Sequence, residues 1–219
     1  MSELNAIGTD GHVFGIALNY KCLYEKLQAQ FNEKPYVNEP KKPVLFIKTP
    51  NTRNYSGQPV VKKKADILQA GPSIGIVIGK STTRVSKSEI ADHIAGYVVV
   101  NEWSLPEESY YRPAIKAKCQ DGFCVIGTPV QSEQVTDLNN LALRVFVNGE
   151  LKQEGTTANW IRTPAQIIEE ISEYMPLNAG DIILTGTPYG RVSVVAGDEV
   201  RVEIDQLGSV TNTVQEEGN

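Results

Sequence analysis

Ile74-Gly75-Ile76-Val77-Ile78-Gly79 is a short run rich in β-branched residues and bounded by Gly, Pro and Asn. That is how a buried strand reads. Runs of the same style precede and follow it. Val13-Phe14-Gly15-Ile16-Ala17-Leu18 and Val44-Leu45-Phe46-Ile47-Lys48 lie upstream, and residues 96–101, 143–147, 181–185, 200–204 and 209–214 lie downstream. Eight or more strands are expected, so β-structure dominates. In Arg144-Val145-Phe146-Val147-Asn148-Gly149-Glu150-Leu151 the Asn-Gly pair sits between alternating residues. Both positions tolerate positive φ, so a tight hairpin is expected there.

Helices are few but marked. Thr163, Pro164 and Gln166 form a start signal, with proline at the first helical position and a glutamine able to reach back to the cap. Ile167, Ile168, Ile171, Tyr174 and Met175 then recur at helical spacing and set one apolar face inward, leaving Glu169, Glu170 and Glu173 for water. Ser86 with Glu89 reads as a second capping box before a short amphipathic stretch over residues 90–94. A third helix is expected over residues 21–31, followed by an extended proline-rich loop over 35–43.

Composition bounds the functional classes. A chain of 219 residues can bury a core within one domain, so a single domain over 1–219 is expected, with 1–40 as an opening, lid-like segment. At 41% hydrophobic and 21% charged residues, with no long apolar run, it reads as a globular protein without a membrane span. The first ten residues carry no basic stretch followed by an apolar core, which makes the cytoplasm the expected location. Cys22, Cys119 and Cys124 form no even disulfide set and no Cys-x-x-Cys pair, and read as free thiols. The formal charge of -5 argues against nucleic acid as a partner, and Lys62-Lys63-Lys64 reads as a solvated loop.

Several phrases are similar to those of the fumarylacetoacetate hydrolase superfamily, in the family's order: residues 15–20, Pro43-Val-Leu-Phe-Ile-Lys48, Ile76-Val-Ile-Gly-Lys80, Ile94-Ala-Gly-Tyr97, Val147-Asn-Gly-Glu150, Gln153-Glu-Gly-Thr-Thr-Ala158 and Leu177-Asn-Ala-Gly-Asp-Ile-Ile-Leu-Thr-Gly-Thr-Pro188. The stretch from Ser104 to Phe123 resembles the homoprotocatechuate-pathway isomerase/decarboxylase branch, and within it the N-terminal half of a two-repeat enzyme or its separate-subunit equivalent. The resemblance implies a β-rich α+β fold, a mixed β-sandwich roll with a few short helices, assembled as a homodimer or as a heterodimer with a metal-bearing paralogue. It implies decarboxylation or isomerisation of a small 2-oxo or enol dicarboxylate from aromatic-acid breakdown. In the family, Mg²⁺ or another divalent ion stabilises the enolate as a Lewis acid, and a lysine adds positive charge.

The family takes its metal from a Glu-x-Glu at a strand start and an Asp about one strand later. Here the first two positions are Gly71 and Ser73, and only Glu102 stands where the Asp belongs, so metal binding is expected to be weak or absent. The family arginine four residues on is Pro106, and residues 21–26 hold no lid histidine. The two histidines, His12 and His93, fall elsewhere; His93 reads as a surface or packing residue.

Lys118 matches the family lysine, and with Asp121 and Glu102 makes the expected catalytic set, although composition alone leaves Lys118 equally readable as an exposed lysine. Gly186 and Thr187 match the family's carboxylate-binding turn, where hydroxyl and backbone amides can hold an anion; a plain strand-end turn would also need Gly186 and Pro188. Asn19, Tyr20, Lys48 and Arg112 are polar or cationic residues that could contact substrate, and Arg112 could equally lie in a packed turn. A metal-less, non-catalytic helper subunit is the alternative reading of the same pattern.

Overall fold

The computed structural model of the chain describes residues 7–107 and 109–218; residues 1–6 of the leading stretch and Glu108 lie outside the described residues. The chain begins with β1 (Val13–Ala17), α1 (Lys21–Leu27) and a 3-10 turn (Gln28–Asn32). β2 (Val44–Lys48), β3 (Arg53–Tyr55), β4 (Val60–Lys62), β5 (Leu68–Ala70), β6 (Pro72–Ile78) and β7 (Ile94–Glu102) follow. Then come α2 (Ile115–Lys118), β8 (Cys124–Ile126), β9 (Val130–Gln131), β10 (Ala142–Val147), β11 (Glu150–Thr156) and α3 (Pro164–Ser172). β12 (Ile182–Leu184), β13 (Val192–Val194), β14 (Glu199–Ile204) and β15 (Gly208–Glu216) end the chain.

One sheet has the order β2-β1-β12-β6-β7-β8-β3, with β9 also on β7; a second runs β11-β10-β14-β15-β4; β13 and β5 form a small third. Parallel pairs (β1 with β12, β3 with β8, β15 with β4) stand among antiparallel ones, so the architecture is mixed, as expected. Every residue of β6 is buried, which explains its lack of polar alternation. Ile74, Ile76 and Ile78 belong to the cluster that includes Leu143, Val145, Val200 and Val202 of the second sheet. Val77 belongs instead to the cluster with Val98, Val100, Ile126, Ile182 and Leu184, enclosed as the first sheet curls. β10 alternates between buried and half-buried residues, since only one of its faces meets the core.

The Asn148-Gly149 hairpin forms with φ of 51° and 83°, joining β10 to β11. At α3, the Thr163 hydroxyl and Gln166 side chain cap each other's backbone, Pro164 fills the first turn, and Ile167, Ile168 and Ile171 are buried. The helix stops at Ser172, so Tyr174 falls beyond it and is exposed rather than inward, while Met175 packs on the core. The second expected helix is reduced further. Ser86 and Glu89 do bond, but only a 3-10 turn (Ile90–His93) follows, because Ile94 is already the first residue of β7.

Lys62 also departs from expectation. It lies in β4, is buried, and donates to the carbonyls of Lys63 and Lys64 at 3.0 and 3.3 Å, while its two neighbours stay exposed. All three cysteines are free. Among the described residues, no helix is long and apolar enough to cross a membrane.

Candidate active site

β1, β7 and β12 run in one direction, since β12 is parallel to β1 and antiparallel to β6, which is antiparallel to β7. Their C-terminal ends therefore open on one side, where Ala17 and Leu18, Glu102, and Gly186 with Thr187 line a cavity of about 330 Å³. Phe46, Gln69, Tyr110, Lys118 and Arg191 complete its walls. Gly186 turns the chain there with φ 90°, and a Cβ on it would stand 2.7 Å from the Ile16 carbonyl, so only glycine fits this turn.

Glu102 is the floor of the cavity, and its side chain is only 1% exposed. Three cations converge on it. Lys118 Nζ donates to Oε2 at 3.0 Å, Arg191 Nη2 donates to the same oxygen, and Lys48 Nζ stands 2.6 Å from Oε1. Lys48 directs its own hydrogen bonds to the carbonyls of Trp103, Lys118 and Phe123, so its contact with Glu102 is an ion pair outside hydrogen-bond geometry. Lys118 also meets Glu107 at 3.1 Å and lies 4.7 Å over the Phe46 ring. Arg191 Nη1 donates to the Glu102 carbonyl at 2.7 Å and Nη2 to Thr187 Oγ1 at 3.3 Å.

Three cations thus face two carboxylates, leaving one net positive charge around a sheltered cavity. Burial alone would raise the Glu102 pKa, but the charges of Arg191, Lys118 and Lys48 outweigh it and hold the carboxyl far below its ordinary value. Burial pushes the Lys118 ammonium down, against the opposing pull of Glu102. For Arg191, burial works against the charge and Glu102 more than restores it. Burial, with Glu107 beside it, lifts the Tyr110 hydroxyl to about 12, so it remains a proton donor at the cavity wall.

The sequence candidates divide three ways. Glu102, Lys118, Gly186 and Thr187 come together in the cavity, and Lys48 lies beneath it. Asn19 and Tyr20 are buried outside its lining. The Asn19 amide clamps the chain by pairing with both backbone groups of Arg162 and the Thr185 carbonyl, and Tyr20 is an interior residue bridged to Trp160. Asp121 and Arg112 are exposed and also outside: Asp121 accepts from Asn51 at 2.5 Å in a surface turn, and Arg112 borders a separate surface depression with Tyr111 and Pro113. His12 pairs with Asp181 and His93 with Thr82, both away from the cavity.

Arg191, Glu107 and Tyr110 were not singled out from the sequence. The available signal for Arg191 was its position three residues past the Thr-Gly-Thr-Pro turn.

The residues present do not fit a divalent ion. Glu102 N donates to the Gly71 carbonyl at 2.8 Å and Ser73 pairs with Val100, so Gly71 and Ser73 share a sheet face with Glu102. A Cβ at Gly71 would collide with the Arg191 guanidinium, and the buried Ser73 hydroxyl has no partner. Hard-ion sites need several anionic oxygens. Here one carboxylate is already shared by three cations, and among the described residues no group of His, Cys, Asp or Glu is arranged as a ligand set.

Fold and motifs together define the class: residues 12–215 match the family described as fumarylacetoacetate (FAA) hydrolase, C-terminal, and the chain belongs to that family. Among its relatives is the 4-hydroxyphenylacetate degradation bifunctional isomerase/decarboxylase of Escherichia coli, 40% identical over 207 residues, which are 94% of this chain and 48% of that protein. The chain thus spans about half the length of the curated relatives of this kind that it matches. Among solved structures it is similar to a 5-carboxymethyl-2-hydroxymuconate delta-isomerase from Mycobacterium smegmatis (TM-score 0.81, 27% identity, 98% of this chain and 81% of that one). A 2-hydroxyhepta-2,4-diene-1,7-dioate isomerase from Mycobacterium marinum compares with TM-score 0.80 and 29% identity over 98% of this chain and 77% of that one.

Proposed function

We propose that the chain is a decarboxylase/isomerase of a small 2-oxo dicarboxylate in aromatic-acid catabolism, of the 5-carboxymethyl-2-oxo-hex-3-ene-1,6-dioate decarboxylase and 2-hydroxyhepta-2,4-diene-1,7-dioate isomerase type. The observation that carries this reading is the net positive, sheltered floor formed by Lys118, Arg191 and Lys48 around Glu102 and Glu107. A substrate carboxylate placed in the cavity would supply the missing negative charge. Decarboxylation breaks a carbon–carbon bond, releases CO₂ and leaves the electron pair in a dienolate whose charge rests on the 2-oxo oxygen. A proton taken at that oxygen or along the carbon chain completes the product. Isomerisation passes through the same enolate by loss and regain of a proton.

Lys118 is the group assigned to that oxygen, because it lines the cavity and is held between two carboxylates that preserve its charge. A fixed ammonium at a developing enolate lowers the barrier by roughly 3 kcal/mol, or about a hundredfold in rate. Lys118→Met should cut turnover by about that factor. Lys118→Arg should not restore it, since a planar fork cannot reproduce a compact charge. Undiminished turnover by Lys118→Met in a preparation free of other subunits would remove Lys118 from this role.

A second reading is favoured by the absence of the family's carboxylate pair at Gly71 and Ser73. In it the chain is a non-catalytic helper of a metal-bearing paralogue. Inactivity alone, combined with increased activity of such a partner, would establish it. In either reading we expect a cytoplasmic, dimeric protein folded as one domain.

A further inference from the structure

The position of Arg191 has a consequence for how the pocket holds its ligand. Its guanidinium fills the space that a side chain at residue 71 would occupy, and it bonds both the carboxylate and the carbonyl of Glu102. Those are the positions around which a chelated ion would be built. The group is fixed by Glu102 and by the Thr187 hydroxyl, and Arg191 itself immediately precedes β13. Its side chain is 17% exposed and lines the cavity.

We propose that the Arg191 guanidinium is a built-in substitute for a divalent cation. The 2-oxo-carboxylate end of a ligand then lies on Arg191 and Lys118 without any metal, and Gly71 is the residue that makes room for this. Arginine suits the task because its charge is permanent and its planar fork can face two oxygens of an α-oxo carboxylate at once. The Glu102 carboxylate becomes an anchor for cations instead of an ion ligand, which accounts for its contacts with all three. The inference rests on the reading of the cavity as a 2-oxo acid site, but its test needs no turnover.

Oxalate, a planar mimic of a 2-oxo acid enolate, should bind the unaltered chain in calorimetry with EDTA present. Arg191→Met should weaken that binding at least tenfold, and Arg191→Lys should recover only part of it. Gly71→Ala removes no charge, but its Cβ would crowd both the Arg191 guanidinium and the Glu102 carbonyl, so the flexible guanidinium should give way and oxalate binding should weaken comparably. Mn²⁺ alone should show no stoichiometric binding to the unaltered chain, while a Gly71→Glu, Ser73→Glu, Arg191→Gly combination should gain it. If Arg191→Met does not fold, Gly71→Ala and the Mn²⁺ titration still decide. Oxalate binding that needs a divalent ion, no oxalate binding at all, an affinity indifferent to Arg191, or one-to-one Mn²⁺ binding by the unaltered chain would each overturn the proposal. Loss of the decarboxylase reading alone would leave EDTA-resistant, Arg191-dependent oxalate binding intact.

Discussion

Glu102 bears the electrostatic load of the site, and its surroundings fix how stability depends on pH. In the unfolded chain this carboxyl takes a proton near the ordinary glutamate value of 4.5, whereas in the folded chain it does so only well below that. Below 4.5 the unfolded state therefore binds more protons, and stability falls as pH falls. The stabilisation is complete above 4.5 and is lost below it, with a slope of up to about 1.4 kcal/mol per pH unit from this group. Urea midpoints measured from pH 6 to pH 3 should drop more steeply for the unaltered chain than for Glu102→Gln; equal slopes would contradict this. Lys48→Met should be costly at every pH, on the order of 3 kcal/mol, since it strips three carbonyls of their donor and Glu102 of a buried partner. A midpoint unchanged by Lys48→Met would count against that role. Lys118, Glu102, Gly186 and Thr187 were legible only through the family resemblance of the motifs that hold them; Glu102 ends β7, Gly186 and Thr187 follow β12, and Lys118 ends α2. Arg191 was not: its one local signal is its place three residues past the Thr-Gly-Thr-Pro turn, and its meaning lies in the space left by Gly71, more than a hundred residues away in the chain.

The secondary-structure elements divide by how much of their environment is local. β6 and β7 read correctly because burial on both faces leaves an uninterrupted apolar run. The start of α3 read correctly because its cap is written in adjacent residues, whereas its end at Ser172 falls short of Tyr174 and Met175. The short strands β3, β5, β8 and β13 had no such signature, since three residues show no period and exist through their pairing partners. The Ser86 signal was genuine, yet a start signal does not set a helix's length, and β7 claims the chain after one turn. Two measurements follow at this scale. Thr163→Ala should destabilise by about 1 kcal/mol through loss of the capping box, seen as a lower denaturant midpoint with unchanged slope. Ile76→Ala, in the fully buried strand, should cost about 3–4 kcal/mol, whereas Leu151→Ala, half exposed at the hairpin, should stay near zero. Similar costs at the two sites would mean that β6 is not the central strand of the core.

At the scale of the whole molecule, two mixed sheets share a core and the curled first sheet encloses a second cluster beside the cavity. The same fold that supports metal-bearing sites in its family here holds a carboxylate ringed by cations. The family's carboxylate positions are Gly71 and Ser73 here, and the Arg191 guanidinium stands against Gly71. Ile67, Tyr111 and Ile115 are large apolar residues left exposed. If a subunit contact covers them, sedimentation at micromolar concentration should give a dimer; a monomer would contradict that expectation. The most direct measurement is the initial rate at which the purified, metal-stripped chain consumes 5-carboxymethyl-2-oxo-hex-3-ene-1,6-dioate, with EDTA and then with added Mg²⁺. A cationic pocket acting in place of an ion should give the same rate in both, falling about a hundredfold in Lys118→Met. A rate that appears only with Mg²⁺, or one indifferent to Lys118, would contradict it.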